Sequence, residues 1–390
     1  MDSHSKTPGR GRAVAKNLVA FAVSVLICLF LTEGAVRVFL PQFLRPVLRE
    51  RVDGLFCLRA DLDARIFSPG EFDTRIKTTS QRFRGDEEFT RTPPHEVARI
   101  AILGDSFAFG NGVNDEESYP AVLADALNDE TVMPGRVPGV PGGATRFEVL
   151  NTGIPNSGTG DQALWYEHWV KDFAPHLVVL TVYGGNDVWD EIQDSKFELT
   201  PSGAVPMDRE AVEARGGLEA KLQSAVLKIP GYMYLTQHSH LLYAVRTAVT
   251  VSFSRRVDTK GRTLPTASDD DPKADLAIDK IAAEIHWLRQ RVEASGAEFV
   301  IVFIPQRNEF LEQTRESRGS HRSRSLAARV RHEADRADIS YLDLTAAVAS
   351  RLARNPGTLY YLKDDHMRPD GYRLVGEEVA HFLLNGVPAS

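Results

Sequence analysis

Short apolar runs alternate with longer amphipathic stretches over most of this chain. The apolar runs are rich in β-branched and aromatic residues, and they predict strands at Ile100–Leu103, Phe147–Asn151, Leu177–Tyr183, Phe299–Ile304 and Ile339–Leu342. Helical periodicity predicts helices at Ser118–Leu127, Gln162–Phe173, Leu276–Ala294, Ser325–Ala337 and Gly371–Leu384. Because strands that alternate with helices form βαβ units, we expect an α/β fold with a mostly parallel sheet covered on both faces.

The first 40 residues follow a different pattern. The apolar run Leu18–Leu31 contains no charged residue, and the basic residues that precede it are Lys6, Arg10, Arg12 and Lys16. Such an arrangement keeps the basic flank in the cytoplasm and sends the following chain across the membrane. The run is shorter than the roughly 20 residues of a spanning helix, but apolar residues continue to Leu40. We therefore expect a cytoplasmic tail and a signal anchor over residues 1–40.

Two alternatives to an uncleaved anchor stay open. A cleaved signal peptide has the same basic and apolar regions, although Thr32-Glu33-Gly34 does not resemble its small-residue cleavage site. A buried core helix of a cytoplasmic protein would make the basic flank a coincidence. With the anchor, this is a single-pass protein of the cell membrane whose large domain is extracytoplasmic, either periplasmic or extracellular.

The rest of the chain divides where its pattern changes. Residues 41–98 predict an irregular lead-in with short strands, which spaces the main domain from the membrane. Residues 99–387 hold the strand–helix alternation and form the main domain. Within that domain, residues 190–273 lack the alternation and are interpreted as an insertion large enough to cover a substrate site.

Composition excludes several classes of function. The chain has 390 residues, of which 43% are hydrophobic, so it can bury a sizeable core. Its formal net charge of −7 argues against a nucleic-acid binder and against recognition of the substrate by bulk charge. Only Cys28 and Cys57 are cysteines, which excludes a disulfide framework.

His238 and His240 have the spacing of a pair of metal ligands, but no third ligand is in reach. We therefore expect structural roles for them.

The first predicted strand is followed by Gly104-Asp105-Ser106-Phe107. A serine just past a buried strand, on a sharp turn that glycine permits, is a common way to expose a hydroxyl nucleophile. Ser106 could instead cap a helix. However, Gly110-Asn111-Gly112 follows too closely for a stable helix to begin there.

Two asparagines follow other predicted strands. Ligands of open parallel sheets bind at the carboxyl ends of the strands, so Asn156 and Asn186 should lie at the same edge as Ser106. Asn186 follows paired glycines, and its amide is either a donor to a developing oxyanion or an ordinary turn residue. The loop that holds Asn156 offers backbone N–H groups to an anion, with Gly158 as the nearest rival.

A histidine with neighbouring carboxylates lies near the C-terminus. His366 has Asp364 two residues earlier and Asp365 beside it. A general base must reach the serine proton, and a carboxylate must orient the imidazole and stabilise its protonated form. Alone, the segment would be interpreted as an exposed loop before a helix that is capped by Asp370. Together with Ser106, His366 is the candidate base.

In this order, the motifs resemble those of the SGNH (GDSL-like) hydrolase family, over about residues 99 to 385. The resemblance implies a flavodoxin-like three-layer α/β/α sandwich with a mostly parallel sheet, preceded here by the N-terminal transmembrane helix. It implies a catalytic triad of Ser106, His366 and Asp364, and an oxyanion hole formed by Ser106, Asn156 and Asn186. It also implies ester chemistry without a cofactor or metal.

The chain departs from the family pattern at two points. The second motif usually has glycine where this chain has Asn156, but the donor is a backbone N–H and asparagine tolerates left-handed conformations. The family acid often lies three residues before the histidine, where this chain has Lys363, so Asp364 is assigned and Asp365 stays open. The nucleophile elbow of α/β-hydrolases is a rival, yet its acid and base are usually far apart in sequence.

These predictions favour a membrane-anchored, extracytoplasmic serine esterase of the bacterial envelope that cleaves acetyl or short-chain acyl esters. Its substrate would be an ester, on a carbohydrate or lipid, and its other partner the membrane; nucleic acid is not expected. An O-acyltransferase or acetyltransferase of envelope or exported polysaccharide could use the same site. A non-catalytic polysaccharide-binding module is a third hypothesis, against which Ser106, Asn186 and His366 argue.

Overall fold

Helices and strands alternate through most of the structure, a computed structural model that describes residues 9–52, 54–129, 137–208, 225–258, 272–312, 314–355, 357 and 359–386. The helices are α1 (Gly9–Phe39), α2 (Ser106–Phe109), α3 (Tyr119–Leu127), α4 (Thr159–His168), α5 (Asp187–Asp194), α6 (Tyr232–His238), α7 (His240–Asp258), α8 (Pro272–Ala294), α9 (Arg318–Ala337), α10 (Thr345–Arg354) and α11 (Pro369–Asn385). Short 3-10 helices lie at Asp115–Glu117, Val170–Phe173 and Arg307–Phe310.

The strands form one larger sheet and three hairpins. They are β1 (Arg49–Val52), β2 (Leu55–Leu58), β3 (Asp63–Ser68), β4 (Phe72–Lys77), β5 (Val97–Leu103), β6 (Arg146–Asn151), β7 (Leu177–Tyr183), β8 (Phe197–Thr200), β9 (Gly203–Pro206), β10 (Glu298–Ile304) and β11 (Ser340–Asp343). The larger sheet has the order β11-β10-β7-β5-β6, and all its pairings are parallel. The antiparallel hairpins are β1–β2, β3–β4 and β8–β9.

Helices cover both faces of the parallel sheet. In β5, Ala101 and Leu103 belong to one buried cluster, which also contains residues of α4, α8 and α9. Ile100 and Ile102 belong to a second cluster, with residues of α3, α10 and α11. Successive side chains of a strand point to opposite faces, so strands buried on both faces are apolar at every position. The predicted three-layer α/β/α sandwich with a parallel sheet is confirmed.

The predicted strands and helices of the main domain are confirmed, with boundaries that differ by a few residues. Two helices of the sandwich region, α5 and α10, were not predicted because each directly follows a motif or a strand without a clear break.

The predicted helix cap at Asp370 was wrong. Pro369 begins α11 and Arg368 occupies the N-cap position, as expected for a proline in a first helical turn.

Helix α1 is long and apolar enough to cross a membrane. The window Arg12–Phe39 has a mean hydropathy of 2.3, and none of it is buried against the protein. Near its end, Glu33 accepts hydrogen bonds from Ser239 Oγ and from the backbone N–H groups of His240 and Leu241. These contacts fasten the first turn of α7 to the last turns of α1.

The lead-in packs against the sandwich, although it was expected to be only a spacer. Residues of β3 and β4, among them Ile66, Phe72 and Ile76, form a third buried cluster with Phe109 and Tyr361. Phe109 ends the helical turn after the strand β5, and Tyr361 lies just before Asp364. The hairpin β3–β4 therefore contacts both loops that were predicted to carry the chemistry.

Candidate active site

The turn after β5 places Ser106 at the carboxyl edge of the sheet. Gly104 has φ +154°, and a Cβ there would lie 2.6 Å from Ala108 Cβ and 2.9 Å from Thr181 Cβ. Only glycine fits such a turn without displacing its neighbours. Ser106 then begins α2, a single helical turn capped by Asp105, whose carboxylate accepts the Phe107 N–H at 2.8 Å. The expectation that no helix starts here was wrong by this one turn.

The structure brings three of the predicted residues together. His366 Nε2 lies 2.8 Å from Ser106 Oγ, and His366 Nδ1 is hydrogen-bonded to Asp364 Oδ1. Ser106 is 7% exposed, so its hydroxyl lies at the floor of a recess rather than on the open surface. The ring of Phe107 lies 5.0 Å from the imidazole and stacks on Tyr183 at 3.7 Å. Packing on this aromatic pair limits the rotation of the His366 side chain.

Asp364 is poised to carry a negative charge beside the imidazole. Burial acts to raise its pKa, but the hydrogen bond and charge of His366, together with the charge of Arg45, hold the pKa of Asp364 below its ordinary value. Asn111 Nδ2 also donates to Asp364 Oδ1 at 3.4 Å and lies 3.2 Å from His366 Nδ1. An ionised carboxylate at Nδ1 favours the tautomer that leaves Nε2 free to accept a proton.

Asp365 points to a different partner. Its carboxylate accepts a hydrogen bond from Arg307 Nη1 at 2.5 Å, and its side chain is 58% exposed. The same nitrogen donates to the carbonyls of Tyr361 and Leu362. Asp365 has φ +66°, a left-handed conformation that turns the chain between Asp364 and His366. Of the two candidate acids, the structure thus places Asp364 at the imidazole and Asp365 on the loop that supports it.

The lead-in supplies supports for both loops. Glu71, in the turn of hairpin β3–β4, accepts hydrogen bonds from the backbone N–H groups of Lys363 at 2.6 Å and Asp364 at 3.1 Å. Tyr361 donates its hydroxyl to the Gly112 carbonyl at 2.9 Å. These contacts join the acid-bearing loop to the lead-in and to the turn after α2.

Arg84 holds the chain that follows the nucleophile. Its buried guanidinium donates to the carbonyls of Phe109, Gly110 and Val113 and to Asp115 Oδ1. An arginine can satisfy several diverging carbonyls at once because its five donors have a fixed planar arrangement. Arg84 thereby fixes the exit of α2 and, with it, the position of Ser106.

The structure places Asn156 beside two arginines. Asn156 is exposed and has φ +57°. This is the left-handed conformation that was expected of an asparagine at the position where the motif usually has glycine. Its carbonyl accepts a hydrogen bond from Arg49 at 2.6 Å, and its side-chain oxygen accepts one from Arg45 at 3.4 Å. Gly158, the rival position, is the N-cap residue of α4.

The Asn186 amide is engaged within its own segment. Asn186 is partly buried at the N-cap position of α5, and its Nδ2 donates to the Asp190 carboxylate. The following residue, Asp187, accepts the Tyr183 N–H at 2.9 Å, which closes the turn between β7 and α5. Gly184 is required in this turn, since a Cβ there would lie 1.8 Å from Ser323 Oγ.

Several carboxyl groups are crowded at this edge of the sheet. Burial raises the pKa of Asp105, and burial together with the charge of Asp105 raises the pKa of Asp187 well above its ordinary value. Burial and the charge of Asp105 also raise the pKa of Asp190 to about 7. Protonation of Asp190 below about pH 7 lowers the negative charge that a developing oxyanion would meet.

Some supporting residues were not found from the sequence. Asn111 lies five positions after Ser106, close enough to have been considered, but it was interpreted only as part of a glycine-rich turn. Glu71, Arg84, Arg45 and Arg49 belong to the lead-in, where no sequence pattern links them to the motifs. Their contacts depend on the way in which the lead-in folds back over the sheet.

The model of the GDSL-like Lipase/Acylhydrolase family matches residues 102–374. Among curated proteins, none matches the chain significantly.

Solved structures with similar folds include three at low sequence identity. The first is a putative lipolytic protein of the G-D-S-L family from Desulfitobacterium hafniense DCB-2, at 14% identity and TM-score 0.40, covering 73% of this chain and 98% of its own. The second is an α/β hydrolase enzyme from the metagenome of Lake Arreo, Spain, at 16% identity and TM-score 0.41, and the match covers 75% of this chain and 99% of that protein. The third is an acetylxylan esterase from Geobacillus stearothermophilus, at 14% identity and TM-score 0.40, and the match covers 75% of this chain and 95% of that protein. Because the family model covers more than half of the sequence, this chain belongs to the GDSL-like lipase/acylhydrolase family and is a carboxyl-ester hydrolase.

Proposed function

We propose that the protein is a membrane-anchored, extracytoplasmic serine esterase that uses Ser106, His366 and Asp364 as its catalytic triad. One observation carries the proposal: His366 Nε2 lies 2.8 Å from Ser106 Oγ while His366 Nδ1 is hydrogen-bonded to Asp364. A general base must lie within about 2.6–3.2 Å of the proton that it removes. The Ser106 hydroxyl and the His366 imidazole meet that requirement, and the Asp364 carboxylate is hydrogen-bonded to the other ring nitrogen.

In the first half of the reaction, Ser106 Oγ forms a bond to the carbonyl carbon of the ester. Its proton passes to His366 Nε2, and the carbonyl oxygen becomes an oxyanion. The C–O bond to the alcohol then breaks, and the protonated His366 gives its proton to the departing oxygen. In the second half, His366 removes a proton from water, and the water oxygen forms a bond to the acyl carbon of the acyl-serine. The bond from that carbon to Ser106 Oγ then breaks, His366 returns the proton to Ser106 Oγ, and the carboxylic acid is released.

The oxyanion would lie among three donors: the Ser106 N–H, the Asn156 N–H and the Asn186 side-chain amide. The left-handed conformation of Asn156 supports its role as a substitute for the usual glycine. The Asn186 amide now donates to Asp190. During the reaction it must exchange that carboxylate for the oxyanion, or donate to both through its two hydrogens.

We extend the proposal to the place of the enzyme and to its substrate class. The exposed helix α1, whose apolar run Leu18–Leu31 is preceded by basic residues, supports a single membrane span with residues 41–390 outside the cytoplasm. The domain boundaries at 1–40, 41–98 and 99–387, with the insertion at 190–273, are part of the same proposal. The acyl group is acetyl or another short chain, carried by a carbohydrate or lipid of the envelope.

The membrane part can be tested separately from the chemistry. Carbonate washing of membranes should leave the full chain in the pellet, and protease added to sealed right-side-out cells or spheroplasts should digest the domain beyond residue 41. Release of the chain by carbonate, or protection of that domain from protease, would overturn the anchored orientation.

The catalytic part is tested by turnover of p-nitrophenyl acetate by the full chain in detergent. Ser106→Ala should abolish this turnover and leave the unfolding temperature unchanged. Ser202→Ala, which changes an exposed serine in the turn of hairpin β8–β9, is the matched control and should keep wild-type activity. Retained turnover by Ser106→Ala would overturn the proposal.

A further inference from the structure

Two arginines of the lead-in lie over the candidate active site. Arg45 and Arg49 follow the end of α1 by a few residues, and both donate to Asn156, one to its side chain and one to its carbonyl. The charge of Arg45 is also among the causes that lower the pKa of Asp364. Arg45 therefore contacts the Asn156 loop and lies near enough to the acid of the proposed triad for its charge to act there.

We infer that Arg45 and Arg49 form an anion-binding subsite beside Ser106, and that the ester substrate carries a carboxylate or phosphate group close to the scissile bond. This inference rests on the proposed function and deepens it, because it names the chemical class of the substrate. It concerns a local pair of charges. The net charge of −7 for the whole chain does not bear on it.

The first argument is the unused hydrogen-bonding capacity of the pair. Each guanidinium has five N–H donors. Within the part of the chain that the structure describes, Arg45 uses one long hydrogen bond, of 3.4 Å, and Arg49 uses one of 2.6 Å and lies over the Phe56 ring at 4.6 Å. Among the described residues, none of their remaining nitrogens is a fully enclosed side-chain atom without a partner, so these donors are accessible to solvent or to a ligand.

Arginines with structural roles in the same protein look different. Arg84 donates to three carbonyls and a carboxylate. Arg99 donates twice to Glu148 and also to the carbonyls of Thr90 and Phe173. Both are buried and nearly saturated, as buried charged groups ordinarily are. Arg45 and Arg49 are only half-buried, and they lack such partners.

The second argument is the missing counter-charge. Among the described residues, no carboxylate lies within 4 Å of either guanidinium, although both side chains are half-buried. Burial lowers the pKa of both arginines, and the charge of Arg45 further lowers the pKa of Arg49. Two like charges held together and partly desolvated destabilise the free protein, and an anion bound between them removes that cost.

Nearby acids do not take the place of the anion. Asp364 acts on Arg45, and Asp161, Asp190 and Asp194 act on Arg49, all at longer range and without a hydrogen bond to the guanidinium. Asp364 is already hydrogen-bonded to His366, and burial raises the pKa of Asp161 and Asp190. A carboxylate or phosphate of the substrate could instead accept two hydrogen bonds from one guanidinium, the geometry that makes arginine selective for these groups.

The test compares esters that differ in charge. p-Acetoxybenzoate and p-acetoxyphenyl phosphate carry the charge on the alcohol side, monophenyl succinate carries it on the acyl side, and p-acetoxybenzamide and phenyl butyrate are the neutral references. kcat/KM is measured at low ionic strength for the full-length wild type, Arg45→Gln and Arg49→Gln, because salt screens exposed charges. Arg51→Gln is the matched control: Arg51 lies in the same strand over the same Phe56 ring, at 4.2 Å.

The inference predicts that at least one anionic ester is preferred over its neutral reference by wild type and Arg51→Gln. This preference should fall about tenfold or more in Arg45→Gln and Arg49→Gln, as expected for charge-assisted hydrogen bonds. Inorganic phosphate should inhibit wild type competitively, and more weakly in both variants. Comparison of p-acetoxyphenyl phosphate with p-acetoxybenzoate shows whether a phosphate or a carboxylate is favoured.

An equal fall in kcat/KM for charged and neutral esters would mean that the arginines only position Asn156, and would overturn the subsite. A preference that is absent in wild type would overturn it as well. In both cases, turnover that depends on Ser106 leaves the proposed function standing. If wild type hydrolyses none of these esters, the proposed function fails and the subsite fails with it.

Discussion

The side-chain amide of Asn186 donates a hydrogen bond to the carboxylate of Asp190, one helical turn later in α5. The predicted oxyanion donor is therefore held by an acid in the free protein. Burial and the charge of Asp105 raise the pKa of that acid to about 7. The strength with which Asp190 holds the amide should thus change close to neutral pH, where the enzyme is expected to act.

This pair gives a pH-dependent prediction. As the pH rises through about 7, Asp190 loses its proton, holds the Asn186 amide more tightly and opposes the negative oxyanion. The kcat/KM of wild type for p-nitrophenyl acetate, divided by that of Asp190→Asn, should fall by about tenfold across this range, equivalent to about 1.4 kcal/mol. Taking the ratio removes the titration of groups that both proteins share. A ratio that is constant with pH would show that Asp190 does not influence the reaction.

The two neighbouring aspartates should respond differently to the loss of their charge. Asp364→Asn removes the carboxylate at His366 Nδ1 and should lower kcat by about 10³–10⁴-fold, because the imidazole loses its orienting partner. Asp365→Asn should lower kcat by less than about tenfold, since asparagine tolerates the left-handed backbone and Arg307 keeps the Tyr361 and Leu362 carbonyls. Steady-state kinetics of both variants decide the assignment. The reverse order of effects would make Asp365 the acid.

Removal of Arg84 should destabilise the protein. Arg84→Met leaves Asp115 and three loop carbonyls without their donor, and the loss of one partner of a buried ion pair costs about 3–5 kcal/mol. Arg75→Met, which breaks an exposed pair with Asp63, should destabilise the protein far less. Urea unfolding of both variants in one detergent measures the difference. Similar free energies of unfolding would mean that Arg84 does not hold the loop after Ser106.

The sandwich could be predicted because its signals are local. A strand such as β7 is buried on both faces and is apolar at all seven positions, and helices such as α8 repeat apolar residues at the helical period. The motifs at Ser106 and His366 follow or precede such elements directly, so the topology of a parallel sheet brings them to one edge. The structure then supplies the distances between them.

The supports of the site could not be predicted, because they join segments that are far apart in sequence. Glu71 and Asp364 are separated by nearly the whole main domain, and nothing in either segment indicates the other. The lead-in was expected to be a spacer, yet it carries Glu71, Arg84, Arg45 and Arg49 to the site. The contact of Asn186 with Asp190 has helical i, i+4 spacing. It was missed because α5 itself was not predicted.

The reactivity of Ser106 toward a fluorophosphonate probe tests the central claim most directly, because the probe bonds to an activated serine Oγ and releases fluoride. Intact-mass and peptide analysis of the full chain should find one adduct, on Ser106. Ser106→Ala should give none, and His366→Asn should react at least about 10²-fold more slowly, since general-base help contributes about 10²–10⁴-fold in such sites. An adduct on another residue, or equal labelling rates for wild type and His366→Asn, would contradict the account.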